Sequence, residues 1–227
     1  MVQLHFPLRI SAILIDLDGT LLDTAPELAE AANRLLDMGR PAVSQDLLMS
    51  YIGNGISWLV KRALTGDMHA EPDTALYTNA LPIFEKHYTE LLLRSKPFEG
   101  VVQRLDAMKA AAFRLGCITN KVARYTEPLL KGIGLAHYFE TVLSGDSLPE
   151  KKPHPMPLLH AANFFGAPVE QVLLIGDSLN DAVAARSAGC PVFCVPYGYN
   201  HGEPVDRLDV DAVIPNLFEV LKLIKRV

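Results

Sequence analysis

The 227-residue sequence has little cysteine, few aromatics, no surplus of positive charge and no long hydrophobic run. Three cysteines, Cys117, Cys190 and Cys194, are too few and too odd in number for a disulfide framework, and none has Cys-x-x-Cys spacing. Reduced thiols are expected, with Cys190 and Cys194 acting as buried small hydrophobes beside a strand. No apolar segment approaches membrane-spanning length, and Met1-Val2-Gln3-Leu4-His5-Phe6-Pro7 lacks the basic start and apolar stretch of a signal peptide. The expectation is a soluble, unprocessed, cytoplasmic protein with no membrane partner. With 21 Lys+Arg against 26 Asp+Glu, the net charge of −5 supplies no global field for nucleic acid, so any phosphate-reading site must be local. No His-x3-His or His-Glu-x-x-His spacing supports zinc, and His154 and His160 read as exposed structural histidines.

What is present is a globular composition, 49% apolar and 21% charged, with 16 prolines and 15 glycines scattered along the chain. Short β-branched runs at 10–15, 113–118, 138–143, 172–175 and 192–195, with a weaker one at 212–214, alternate with helical patterns at 101–111, 122–132, 157–165, 181–188 and 217–225. That alternation implies right-handed βαβ crossovers and a parallel sheet covered on both faces. From about Leu22 to Lys96 the spacing is helical throughout, with no strand, and Pro82 is expected to break or kink the last helix. Trp58 in this segment reads as core. The expected fold class is α/β, a Rossmann-like parallel core of residues 1–21 and 97–227 interrupted by an inserted α-helical domain of residues 22–96.

Ligands of such sheets bind at the carboxyl ends of the strands, and four polar clusters occupy those ends. They are Asp16-Leu17-Asp18-Gly19-Thr20, Thr119-Asn120-Lys121, Lys151-Lys152-Pro153 and Gly176-Asp177-Ser178-Leu179-Asn180-Asp181. Taken singly, each has a plainer reading as a turn, a helix cap or a solvated charge pair. Their occurrence in order, at successive strand ends, is what gives them weight.

These four clusters resemble the four motifs of the haloacid dehalogenase superfamily, over the whole chain and with a helical cap after the first motif. The resemblance implies phosphoryl transfer through an aspartyl-phosphate, with Asp16 as nucleophile and Asp18 as the acid/base that protonates the leaving oxygen and later activates water. It implies a Mg²⁺ site at Asp16, Asp177 and the main-chain carbonyl of Asp18, with Ser178, Asn180 and Asp181 supporting the loop and Asp181 orienting rather than ligating. Thr119, Asn120 and the backbone beside Gly19 would bind the phosphoryl oxygens. Lys152, the lysine before Pro153, would be the stabilising cation, with Lys151 as the competitor. Ile15 stands where many relatives carry an aromatic. Asp18 favours phosphoryl chemistry over dehalogenation, which needs no proton for an alkoxide.

The run Ile52-Gly53-Asn54-Gly55 followed by Leu59-Val60-Lys61-Arg62-Ala63-Leu64 resembles the cap of bacterial phosphoglycolate phosphatases. It implies 2-phosphoglycolate as the small phosphorylated substrate, with Arg62, or else Lys61, and the backbone of Gly53, Asn54 and Gly55 reading its carboxylate. By spacing alone, the same residues are a glycine turn and surface charges. Other readings left open are a phosphatase for a sugar or amino-sugar phosphate, a β-phosphoglucomutase-like enzyme, and a non-catalytic binding module. The oligomeric expectation is a monomer or homodimer.

Overall fold

The computed structural model describes residues 6–36 and 43–227, so the stretch Met1–His5 read above lies outside the described residues. Six parallel strands form the central sheet: β2 (Ala12–Ile15), β5 (Arg114–Ile118), β6 (Thr141–Leu143), β7 (Val172–Gly176), β8 (Val192–Cys194) and β9 (Ala212–Val213), in the order β6-β5-β2-β7-β8-β9. The first strand in the chain order of the sheet, β2, is thus central. Its side chains are buried on both faces, which is why the run reads as continuously apolar. Ile13 and Ile15, with Leu173 and Ile175, face one hydrophobic cluster, while Ala12 and Leu14, with Val172 and Leu174, face the other. The crossovers are made by α5 (Val101–Ala110), α6 (Ala123–Gly132), α7 (Met156–Phe165) and α8 (Leu179–Ala188).

Between the strands β3 (Leu22–Asp23) and β4 (Lys96–Pro97) lies the helical cap: α1 (Ala25–Leu36), α2 (Gln45–Tyr51), α3 (Ile56–Thr65) and α4 (Thr74–Leu91). β3 and β4 pair antiparallel, Leu22 with Pro97 and Asp23 with Lys96, so the chain leaves and re-enters the sheet through a two-residue ribbon. Two strands of this length carry no periodicity, and helical spacing hides them. The cap shares its apolar cluster with one face of the sheet, through residues such as Leu28, Leu59 and Phe84. Among the described residues no helix is long and apolar enough to cross a membrane.

Four local expectations need correction. Ser11 divides the run 10–15, donating its main-chain N–H to Gln171 O, so that β1 (Leu8–Ile10) becomes a separate strand. The terminal pattern 217–225 yields only the single turn α9 (Val220–Leu223), after which β10 (Ile224–Arg226) pairs parallel with β1. Each short strand thereby satisfies the other's exposed edge. The expected strand 138–143 starts only at Thr141, because residues 136–138 form a 3-10 turn held by the Tyr138 hydroxyl, which donates to Asp106 Oδ1 at 2.6 Å. Pro82 does not end α4. Thr78, whose carbonyl loses its helical donor there, is exposed to water, while Phe84 and Tyr88 beyond it are fully buried and stack at 5.9 Å.

Because Leu174 is fully buried between the sheet and the layer of α7 and α8, Leu174→Ala is expected to cost about 2–5 kcal/mol. Denaturant titration should show this as a lower midpoint at unchanged m-value.

Candidate active site

The parallel register pairs Ile15 with Cys117 on one side and with Ile175 on the other, so the residues that follow these three strands emerge side by side. Asp16, Thr119 and Asp177 are those residues or their immediate successors. They line one cavity together with Asp18, Asn120, Lys121, Lys152, Ser178 and Asn180. The cap closes it with Leu28, Ile52, Gly53, Gly55, Ile56 and Leu59.

Carboxylate oxygens of Asp16, Asp177 and Asp181 lie within 4.8 Å of one another, and all three side chains are buried. One cation sits among them. Lys152 Nζ is 2.8 Å from Asp16 Oδ1 and 2.6 Å from Asp181 Oδ1, and it donates to Ile118 O at 2.8 Å. The other oxygen of Asp181 accepts from the main-chain N–H and hydroxyl of Ser178, which fixes this acid at the start of α8. Asp177 accepts from Thr20 Oγ1 at 3.2 Å and from the Tyr199 N–H at 2.7 Å. Burial, reinforced by Asp181 and only partly offset by Lys152, pushes Asp16 up to about 7. Burial, then the charges of Asp16 and Asp181, hold Asp177 well above the carboxylate range. Burial also works against the Lys152 charge, but Asp16 and Asp181 outweigh it and hold the ammonium above its ordinary value. Three clustered acids against one lysine leave an excess of negative charge on hard oxygen donors, the chemistry that a small divalent cation satisfies.

Asp18 points away from this cluster. Its Oδ1 accepts from Thr24 Oγ1 at 2.9 Å, and its Oδ2 is 3.0 Å from Lys121 Nζ. Lys121 is itself buried and donates to the Tyr88 hydroxyl, on α4 of the cap, at 2.7 Å. Beside Asp177, the segment after β8 wraps back over the first loop. The Tyr199 hydroxyl accepts from the N–H groups of Thr24 and Ala25, at the start of α1, and donates to Asp23 Oδ1 at 2.9 Å. Two glycines make this fit possible. A Cβ on Gly19 would lie 2.4 Å from Asp177 Oδ2, and one on Gly198 would lie 2.2 Å from Asp177 Cβ. Gly19 also holds φ of +86°, a left-handed conformation that side chains resist.

Core and cap meet at the turn before α3, where Gly53 and Gly55 both have positive φ. Asn120 Nδ2 donates to Gly53 O at 2.9 Å and to Lys152 O at 2.9 Å, and Asn180 Nδ2 donates to the same Gly53 oxygen at 3.2 Å. Lys151 Nζ donates to Asn54 O at 2.9 Å, and His201 Nδ1 donates to Ser50 O at 2.9 Å. The Asn120 amide is therefore engaged in holding the cap, and its buried Oδ1 has no hydrogen-bond partner among the described residues. Lys151, the competitor for the catalytic cation, is engaged in the same clasp.

The structure does not bring Arg62 into the cavity. Its guanidinium is buried inside the cap, donating to Tyr51 O, Asn54 Oδ1 and Met68 O, and neither it nor Asn54 is among the lining residues. Lys61 turns outward to Glu71 at 2.8 Å. Trp58 is half-buried rather than core, with Lys61 Nζ 4.9 Å from its ring centre. The two cap cations singled out by the resemblance are thus structural. Residues outside the quoted motifs also take part, namely Tyr88, Tyr199 and His201, alongside Lys121 of the second cluster. A usable signal for Tyr199 was the run Pro196-Tyr197-Gly198-Tyr199-Asn200, which follows a fifth strand at the same sheet edge. All three cysteines are buried, and burial raises each thiol.

Residues 13–195 match the family described as haloacid dehalogenase-like hydrolase. The chain is 57% identical to a phosphoglycolate phosphatase of Thiobacillus denitrificans, over 97% of this chain and 98% of that one. It is 53% identical to a phosphoglycolate phosphatase of Nitrosospira multiformis, over 98% and 99%. A crystal structure from Haemophilus somnus, described as a predicted phosphoglycolate phosphatase, superposes with a TM-score of 0.88 at 36% identity, covering 94% of this chain and 97% of that one.

Gly19→Ala would press on Asp177 while leaving the sheet intact. Turnover of p-nitrophenyl phosphate is expected to fall by on the order of tenfold or more, with near-wild-type circular dichroism. Arg62→Ala removes three buried donors, and the expected result is a loss of about 1–3 kcal/mol of stability in a denaturant titration.

Proposed function

Since the chain belongs to the haloacid dehalogenase-like hydrolases, we propose that it hydrolyses 2-phosphoglycolate to glycolate and phosphate, with Asp16 as the nucleophile. The observation that carries this reading is the convergence of Asp16, Lys152 and Asp18 on one closed cavity, in a chain more than half identical to two phosphoglycolate phosphatases. Thr119 donates its hydroxyl to a phosphoryl oxygen, and Lys152 balances charge on Asp16 and the incoming phosphate. Asp16 attacks phosphorus while Asp18, across the cavity, gives its proton to the departing glycolate oxygen. Asp18 then takes a proton from the water that cleaves the aspartyl-phosphate. Leu28, Ile52, Ile56 and Leu59 keep other water out.

The family's hydrolases are generally magnesium-dependent, and the acid cluster suits that ion. Asp16, Asp177 and the main-chain carbonyl of Asp18 would hold it, and Asp181, engaged by Lys152 and Ser178, would orient rather than ligate. When bound, magnesium offsets charge on the transferring phosphate. The β3–β4 ribbon serves as the joint on which residues 22–96 turn as a cap over residues 1–21 and 97–227.

Asp16→Asn is expected to lower kcat on 2-phosphoglycolate by on the order of 10³-fold or more while the fold persists. A variant as fast as the parent would remove the nucleophile assignment. Magnesium removal by a chelator should abolish turnover, and re-addition should restore it. A pH dependence follows from Asp16. Its carboxyl sits at about 7 in the metal-free fold against an ordinary 3.8, so the fold holds more protons than the unfolded chain between these values and loses stability as pH rises through them. Magnesium competes with that proton, and its Tm increment should be larger at pH 7.5 than at pH 5. An increment independent of pH would count against metal at this cluster.

A further inference from the structure

A substrate as short as 2-phosphoglycolate sets a tight geometric condition. One methylene separates its ester oxygen from its carboxylate, so whatever reads the carboxylate must lie close to the acid that protonates that oxygen. Among the described residues the cap offers no such group. Its contributions to the cavity are Leu28, Ile52, Ile56, Leu59 and the two glycines, while Arg62 and Lys61 are engaged elsewhere. Among the described residues two cations line the cavity, and both come from the core. Lys152 has Asp16, Asp181 and Ile118 O for its three donors. Lys121 is 3.0 Å from Asp18 Oδ2 and 2.7 Å from the Tyr88 hydroxyl, which leaves one donor of its ammonium beyond those two.

We propose that Lys121 is the specificity-determining cation that binds the substrate carboxylate, held in place by Tyr88 from the cap and adjoining the acid Asp18. This rests on the phosphoglycolate reading above and gives that site its substrate class: monophosphates of α-hydroxy acids, in which the carboxylate is carried on the carbon next to the leaving oxygen. A carboxylate one methylene further out would be carried past Lys121 toward the apolar wall of Ile52, Ile56 and Leu59, where a charge has no partner. Closure of the cap delivers Tyr88 to Lys121, so the reader is complete only when the cavity is shut.

The test compares kcat/KM of the magnesium-loaded enzyme on 2-phosphoglycolate, on its neutral carboxamide analogue and on the phosphate ester of 3-hydroxypropionate, for the parent, Lys121→Met and Lys121→Arg. In the parent, 2-phosphoglycolate should be preferred over both. Lys121→Met should lose roughly 10- to 100-fold more on 2-phosphoglycolate than on the carboxamide, the range for losing a charge-assisted hydrogen bond. Lys121→Arg should recover part of that preference. Equal losses on both substrates would overturn the proposal and make Lys121 a support for Asp18 alone. A parent with no preference for 2-phosphoglycolate over the carboxamide would instead overturn the substrate reading on which the proposal rests. Should Lys121→Met fail to fold, a crystal structure of the parent with magnesium and 3-phosphonopropionate decides the matter. A carboxylate at about 3 Å from Lys121 Nζ supports the assignment, and a carboxylate bound elsewhere overturns it.

Discussion

Three buried acids brought together against a single lysine are the constraint around which this fold is built. Asp16 and Asp177 follow adjacent parallel strands whose register puts Ile15 beside Ile175, and Asp181 is the first-turn acid of the helix that comes next. Like charges at such spacing are costly in a dry interior. The surroundings are accordingly arranged to offset them: Lys152 reaches in from the loop after β6, Ser178 and Tyr199 donate main-chain N–H groups, and Thr20 adds a hydroxyl. What these donors leave unbalanced is negative charge on hard oxygen atoms, a set that suits a divalent cation.

A second layer of polar contacts links this charged floor to the cap. Gly53 O receives amide donors from Asn120 and Asn180, which belong to two different strand ends, and Lys151 from a third strand end holds the neighbouring carbonyl. Tyr199 joins the Asp177 loop to the start of α1 through its main chain and its hydroxyl. The strand-end loops that line the cavity thus also hold the cap in place.

Much of this was legible in the sequence because it rests on local chemistry. A buried parallel strand needs a continuous apolar run, and acids at its carboxyl end stand out against that run, as Asp16 does after Ile13-Leu14-Ile15. Helical spacing likewise exposed α1, α3 and α4. The elements that escaped are those decided by long-range partners. Ser11 splits a strand because Gln171 lies opposite, and Ile224 becomes extended because β1 offers an unpaired edge. Arg62 shows the same limit at the site. The resemblance implied a ligand role, whereas its three acceptors, Tyr51 O, Asn54 Oδ1 and Met68 O, come from elsewhere in the cap and draw it inward. Lys121 stood within the second cluster, but its partners Asp18 and Tyr88 are remote in sequence, so its place beside the acid was not legible.

The two glycines pressed against Asp177 bear on how such a chain can diversify. Neither Gly19 nor Gly198 has room for even a methyl group without displacing the acid, so these backbone positions are closed to drift. The cap-side wall of Leu28, Ile52, Ile56 and Leu59 is built from apolar side chains that can be exchanged for others of similar volume. Descendants of this chain can acquire new substrates through that wall while the reaction performed on them stays the same.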